Sequence, residues 1–314
     1  MKKILTKVLL LAIFSIALIY PLDLLFSKVI KQSSLAFGEY EVWNDILNSE
    51  INAEIAIYGS SRAMMHFNPA ILFDSLYLNA YNFGMDGHNL WSQIFRHEQY
   101  LIHNPSPKVI IHSADFFTLA SKFNGYNNEQ FLPYLLWNKN FSQSAYLPMH
   151  YSWWDCNIPL LRYRNKGNII LQSFIDLFNT KALRTAGFVG RKWEWNKDFD
   201  KAKANMNSYT IKMDSTAIDL FHAYIEECQH KGITVILVNS PVYVEGQKFI
   251  DNRDELRAFY NSVADQHNIK YLDYSLHNIC NKREYFYNAT HLNSRGANAF
   301  SSILAKDIKP LIAN

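Results

Sequence analysis

Glu54-Ile-Ala-Ile-Tyr58 runs directly into Gly59-Ser60-Ser61-Arg62, and the rest of the chain is read outward from this junction. A short apolar run that stops at a glycine predicts a buried strand followed by a turn. A polar–apolar helical pattern comes next, with Pro69 near its middle or end. Leu78 to Phe83 predicts a second strand, closed by Gly84. His88 to His103 fits a helix with Leu90, Ile94, His97 and Leu101 on one face. Pro105 and Pro107 mark a loop, and Lys108 to His112 predicts a third strand. Farther on, Ile218, Phe221, Ile225 and Cys228 fall at helical spacing, with Gly232 as a natural stop. Ile233 to Val238 is a continuous aliphatic run, as expected of a strand covered on both faces. Asp254 to His267 predicts a helix, Ile269 to Leu272 a strand, and Ser294 to Ile308 a closing helix. Strands alternating with helices predict an α/β fold: three αβα layers around a parallel sheet.

Composition narrows the function. The 314 residues carry 31 Lys and Arg against 28 Asp and Glu, a formal charge of +3. That balance does not point to a nucleic-acid partner, which shows as a clustered basic face. With 49% hydrophobic residues the chain can bury a full core. Lys2, Lys3 and Lys7 precede an apolar run from Val8 to Phe26, broken only by Pro21 and Asp23. The run approaches the roughly 20 residues of a membrane-crossing helix, and the lysines favour a cytoplasmic N-terminus. Residues 1–30 are therefore expected to be an anchor or a cleaved signal segment, with residues 31–314 outside the cytoplasm as one α/β domain. A region at about 121–207, holding Trp137, Trp153, Trp154, Trp193 and Trp195, breaks the strand–helix rhythm and reads as an insertion. It is either a lid or binding surface, or a small subdomain whose aromatics form its own core.

Three cysteines, Cys156, Cys228 and Cys280, lack metal-type spacing, and Cys228 lies on the apolar face of its helix. No phosphate loop or dinucleotide fingerprint occurs, so no cofactor and no metal are expected.

The chemistry collects at strand ends. A serine just after a strand, at the start of a helix, sits at the carboxyl edge where open α/β sheets bind ligands. Free N–H groups there can meet a developing oxyanion, although serine is equally a good N-cap. Tyr287-Asn-Ala-Thr-His291 places a histidine in the loop before the last helix, at the same edge. Such a histidine can act as general base for Ser61.

These blocks resemble the SGNH/GDSL hydrolase superfamily. Gly59-Ser60-Ser61 is similar to the Gly-Asp-Ser block, with Ser61 at the nucleophile and Ser60 at the Asp. Asn82-Phe-Gly84-Met-Asp-Gly87 resembles the second block, whose last glycine, here Gly87, gives a backbone N–H to the oxyanion. Asn288-Ala-Thr-His291 resembles the Asp-x-x-His block, and Val238-Asn-Ser-Pro-Val242 is similar to membrane-anchored relatives. Two positions depart. The catalytic Asp is Asn288 here, and the third block's Asn donor is Ala114. A lost oxyanion donor is worth about 3 kcal/mol of transition-state stabilisation. Asp86, Asp115 and Asp273 are candidates to compensate. The resemblance implies a serine esterase or O-acyltransferase, working through an acyl-serine on acyl or acetyl esters of cell-envelope polysaccharide. It also implies a multi-spanning membrane acyltransferase as partner and a site outside a bacterial inner membrane. The alternative is an impaired member of the fold that binds glycan or scaffolds an acylation complex.

Overall fold

The computed structural model describes residues 2–120, 126–144, 151–178 and 182–312. The elements in chain order are α1 (Lys2–Lys31), α2 (Glu39–Leu47), β1 (Ile55–Tyr58), α3 (Ser61–His66), α4 (Pro69–Leu76), β2 (Ala80–Asn82), α5 (Leu90–His103) and β3 (Val109–Ser113). The helices α6 (Lys139–Gln143), α7 (Trp153–Asn157), α8 (Gly167–Asp176) and α9 (Asp198–Asn205) follow. The chain ends with α10 (Ser215–His230), β4 (Thr234–Asn239), α11 (Val244–Gln247), α12 (Arg253–His267), β5 (Lys270–Asp273) and α13 (Ser294–Ile308). The five strands form one parallel sheet in the order β2-β1-β3-β4-β5. The αβα architecture expected from the strand–helix alternation is the one observed.

Side-chain alternation assigns the two faces of the sheet. Ile55, Ile57, Ile111, Ile236 and Val238 point to one face, against Ala63, Phe67, Leu72, Phe300 and Leu304 of α3, α4 and α13. On the other face, His112 meets Phe221 and Tyr224 of α10, and Tyr58 meets His97 of α5.

The helical pattern after Gly59 is two helices, not one. Pro69 opens α4 at its first turn, where a missing N–H costs nothing. The Asn68 side chain caps that helix by accepting the Ala70 N–H at 3.1 Å. The expected second strand is also shorter, with only Ala80–Asn82 pairing to β1.

The chain divides into two compact units, residues 1–44 with 127–183, and residues 45–126 with 184–314. In the first unit, α1 is one helix long and apolar enough to cross a membrane by length and composition. Its last turns bury Asp23, the residue that interrupts the apolar run. The Asp23 carboxylate pairs with the Arg162 guanidinium at 2.7 and 2.9 Å and accepts from Trp137 Nε1 at 2.8 Å. Trp43, Phe131, Tyr134 and Phe141 pack as a small aromatic core in the same unit. No strand ladder occurs among the described residues of the expected insertion, and its start at Ser121 lies outside them. The second unit holds the sheet and every strand-end residue singled out above.

The cysteines Cys156, Cys228 and Cys280 are free thiols, with Cys228 buried as its place on the helix face predicts.

Candidate active site

The site is built around the turn that leaves β1. Gly59 has φ +147°, and a Cβ there would fall 2.5 Å from the Ser113 Cβ and 2.8 Å from that of Ala63. Glycine alone lets the chain pass between β3 and α3 at this point. Ser60 then caps α3, its Oγ accepting the Arg62 N–H at 3.4 Å and donating to Asp115 Oδ2 at 2.7 Å. One residue on, the Ser61 side chain faces the loop before α13. Its Oγ lies 2.8 Å from His291 Nε2, across 230 positions of sequence.

The second glycine block supports the short helix α3. Asn82 Nδ2 donates at 2.8 Å to both the Ala63 carbonyl of α3 and the carbonyl of Phe67, which follows it. Gly84 lies so close that a Cβ would be 2.2 Å from Met64 N. Gly87 is left-handed at φ +69°, and the Tyr126 ring covers the side where a Cβ would stand. Tyr126 in turn donates its hydroxyl to Asp86 at 2.9 Å.

The tautomer of His291 follows from its contacts. Nδ1 sits 3.1 Å from Asn288 Oδ1, which also accepts the backbone N–H groups of Thr290 at 3.0 Å and of His291 at 2.9 Å. Those two amides fix the oxygen of the Asn288 amide toward the ring, so Nδ1 carries the proton and donates. Thr290 Oγ1, 3.1 Å away, shares that nitrogen. Nε2 is left unprotonated to accept from the Ser61 hydroxyl, as a general base requires. Burial, and then the positive charge of Arg62, push His291 down to about 4, with Asp115 opposing. The imidazole is therefore neutral at pH 7 and available as a base, though a weak one.

A second histidine holds this loop in place. His66, the last residue of α3, accepts the Leu292 N–H on Nε2 at 3.0 Å, so its Nδ1 donates to Ser240 Oγ at 2.8 Å. Its ring stands nearly perpendicular to that of His291, 6.1 Å between centroids. Burial, Arg62 and His291 together hold His66 well below the usual imidazole range. In the sequence it is one of several scattered histidines that read as surface or core residues.

The carboxylates expected to compensate for Asn288 do other work. Asp115 accepts from Ser60, from Ser113 Oγ at 3.2 Å and from the N–H groups of Phe117 and Thr118. Asp273 accepts from Arg257 Nε at 2.6 Å, Asn239 Nδ2 at 2.9 Å and the Ser275 N–H at 2.9 Å. Neither hydrogen-bonds His291, because each is consumed by the turn after its own strand. Ala114 is buried, donates its N–H to the Val238 carbonyl at 2.9 Å, and leaves no side-chain donor at that place. Among the described residues no cluster of His, Cys, Asp and Glu is set to hold a metal.

No protein-family model matches the chain, and no curated protein matches it. Solved structures similar to it include a protein assigned as a G-D-S-L family lipolytic protein from Desulfitobacterium hafniense. That match has 11% identity, covers 81% of this chain and 98% of that one, and has a TM-score of 0.39. A GDSL-like lipase from Bacteroides thetaiotaomicron matches at 10% identity over 87% of this chain and 97% of its own, TM-score 0.39. An acetyl xylan esterase matches at 12% identity over 82% and 98%, TM-score 0.38. At these values the chemistry of the site has to come from its own geometry.

Proposed function

We propose that the chain is a serine ester hydrolase or O-acyltransferase that works through an acyl-serine intermediate. The observation that carries this reading is the Ser61 Oγ–His291 Nε2 contact of 2.8 Å, with Nδ1 of the same ring held by Asn288. Ser61 Oγ attacks the ester carbonyl and its proton passes to Nε2. The tetrahedral oxyanion is met by the backbone N–H groups of Ser61 and Gly87. As it collapses, Nε2 returns the proton to the leaving alkoxide, and the acyl group stays on Ser61. Water then regenerates the serine in hydrolysis, and a sugar hydroxyl does so in transfer, by the same steps reversed.

The substrate class we favour is an acyl or acetyl ester of an envelope polysaccharide, delivered beside a multi-spanning membrane acyltransferase. A surface groove of about 590 Å³ lined by Trp193, Trp195, Arg283 and Arg295 supports a glycan rather than a lipid. It is close to the histidine, since Trp193 packs edge-on to Tyr287 and Tyr287 stacks on His291 at 5.5 Å. Asn288 and Ala114 favour a second reading, a weakened relative of such enzymes that binds glycan or scaffolds acylation. Ser61→Ala separates the two. It is expected to abolish both p-nitrophenyl acetate turnover and phosphonate labelling while leaving the circular dichroism spectrum unchanged. Equal labelling of parent and Ser61→Ala removes the serine mechanism, and loss in Ser60→Ala instead moves the nucleophile by one residue.

We further propose that α1 anchors the chain to a bacterial inner membrane with the α/β unit outside the cytoplasm. A reporter fused after about residue 40 is then exported and stays membrane-bound, following the lysine asymmetry. Its release into the soluble fraction means that the segment is a cleaved signal.

A further inference from the structure

Apart from the Ser61–His291 contact, the second unit contains a partly open cavity at the carboxyl ends of β3, β4 and β5. It measures about 60 Å³, and neither Ser61 nor His291 lines it. By that measure it holds some four water-sized occupants. Polar side chains, among them Arg62, Arg253, Arg257, Ser240 and Ser275, line it together with apolar ones such as Leu276.

Arg62 is the unusual wall. It is 4% exposed, and its side-chain hydrogen bonds run through one nitrogen to neutral oxygens. Nη2 donates to Asn239 Oδ1 at 3.1 Å, to Ser240 Oγ at 3.0 Å and to the Ser240 carbonyl. Among the described residues its Nε is buried with no partner, and so is Ser275 Oγ on the same cavity. Among the described residues no carboxylate lies at ion-pair distance from Arg62. Asp115 acts on it only through space, its oxygens being committed to Ser60, Ser113 and two backbone amides. Two other cations line the cavity and each has a carboxylate, Arg257 with Asp273 at 2.6 Å and Arg253 with Asp254 at 3.7 Å. Buried polar groups in folded chains have partners, and a buried charge without a paired ion is costly. Water in the cavity would satisfy the hydrogen bonds but not the charge.

We propose that this cavity binds a small oxyanion, a carboxylate or phosphate group, through the Arg62 guanidinium and the Ser275 hydroxyl. Arg62 supplies the charge and a free N–H, Ser275 supplies a second donor, and the apolar wall holds a short stem. Binding requires no turnover at Ser61, so the assignment stands apart from the esterase reading.

The test uses the full chain in detergent micelles at fixed ionic strength. Sodium acetate, sodium phosphate and neutral acetamide are titrated, with acetate followed by saturation-transfer NMR and phosphate by phosphorus-31 line width. At least one ion is expected to bind with a dissociation constant in the range of about 1–10 mM, and acetamide is expected not to bind. Acetate alone identifies a carboxylate site, phosphate alone a phosphate site. Ser275→Ala is expected to weaken binding about tenfold, the effect of losing a hydrogen bond to a charged group. Leu276→Glu puts a negative charge at the exposed rim and is expected to weaken it similarly, while Leu276→Gln does not. Both Leu276 variants change a side chain that is 75% exposed, so folding is not at stake. Weakening by either Ser275→Ala or Leu276→Glu supports the site. It is overturned if neither ion binds by about 20 mM, if acetamide binds as well as acetate, or if both variants bind like the parent. Ser61→Ala retains the binding whether or not it abolishes ester turnover.

Discussion

Replacing Asn288 by Asp tests the site where it departs most from an ordinary serine triad. The amide oxygen already lies 3.1 Å from His291 Nδ1, and two backbone N–H groups hold it there. An Asp carboxylate would inherit those donors, so its position needs no rearrangement. With charge centres about 4 Å apart, the attraction to imidazolium is about 4 kcal/mol at an effective dielectric constant near 20. Part of that is offset by desolvating the new carboxylate. A net rise of 1–2 pH units for His291, roughly 1.4–2.7 kcal/mol, is the expected remainder. Serine triads lose about 10⁴-fold in rate when their Asp becomes Asn. The gain here is smaller, because Ala114 still leaves the oxyanion one donor short. We expect turnover of p-nitrophenyl acetate to rise roughly ten- to a hundredfold, a deliberately discounted share of that effect. The assay is kcat/KM across pH, with the His291 imidazole followed by NMR. His291 now stands at about 4, and the acid limb of the profile should move up with it. A shift in His291 without a gain in rate would show that proton transfer is not limiting. An imidazole that does not respond would refute the Asn288 contact. If parent and variant both fail to turn over ester and to label at Ser61, the catalytic reading itself falls.

Two further outcomes follow from buried charge. The Asp23–Arg162 pair is fully buried on both sides. Arg162→Met strands a carboxylate and is expected to destabilise the first unit by about 3–5 kcal/mol, read as a lower thermal midpoint in detergent; an unchanged midpoint would place the pair in solvent. Burial also holds His97 down to about 3 and His112 to about 4. The unfolded chain takes up protons below about pH 6.5 while the native state resists. The stability from these neutral histidines is therefore complete above that pH and is lost as pH falls toward 4. The urea midpoint at pH 4.5 should be well below that at pH 7, and His97→Gln should flatten the difference; a parent midpoint that does not change with pH contradicts the burial.

The sequence by itself determined the elements and the two ends of the candidate site. Strand and helix periods report local burial, so β1, β3, β4, α12 and α13 are legible within a residue or two. Gly59 marks the turn that displays Ser61, because its conformation and the closeness of Ser113 tolerate no side chain. Pro69 was misplaced within one helix because helical periodicity runs on through a break, whereas an Asn cap followed by proline starts a new helix. What the sequence does not carry is which polar groups meet. Asp86, Asp115 and Asp273 are equal candidates to support His291 in the sequence, since all strand ends point to one edge; Asp86 accepts from Tyr126 instead. Only tertiary structure shows Asp115 and Asp273 consumed by their own turns. His66 carries no signal that sets it apart from the other scattered histidines, and its contact with the His291 loop exists only because α3 and that loop converge. Asp23 read as an interruption of an apolar helix, yet it is the buried partner of Arg162, 139 residues away. Apolar burial is a sum over many interchangeable contacts and leaves a periodic trace in the chain. A hydrogen bond or ion pair is a single meeting of two groups, and only the folded backbone decides it.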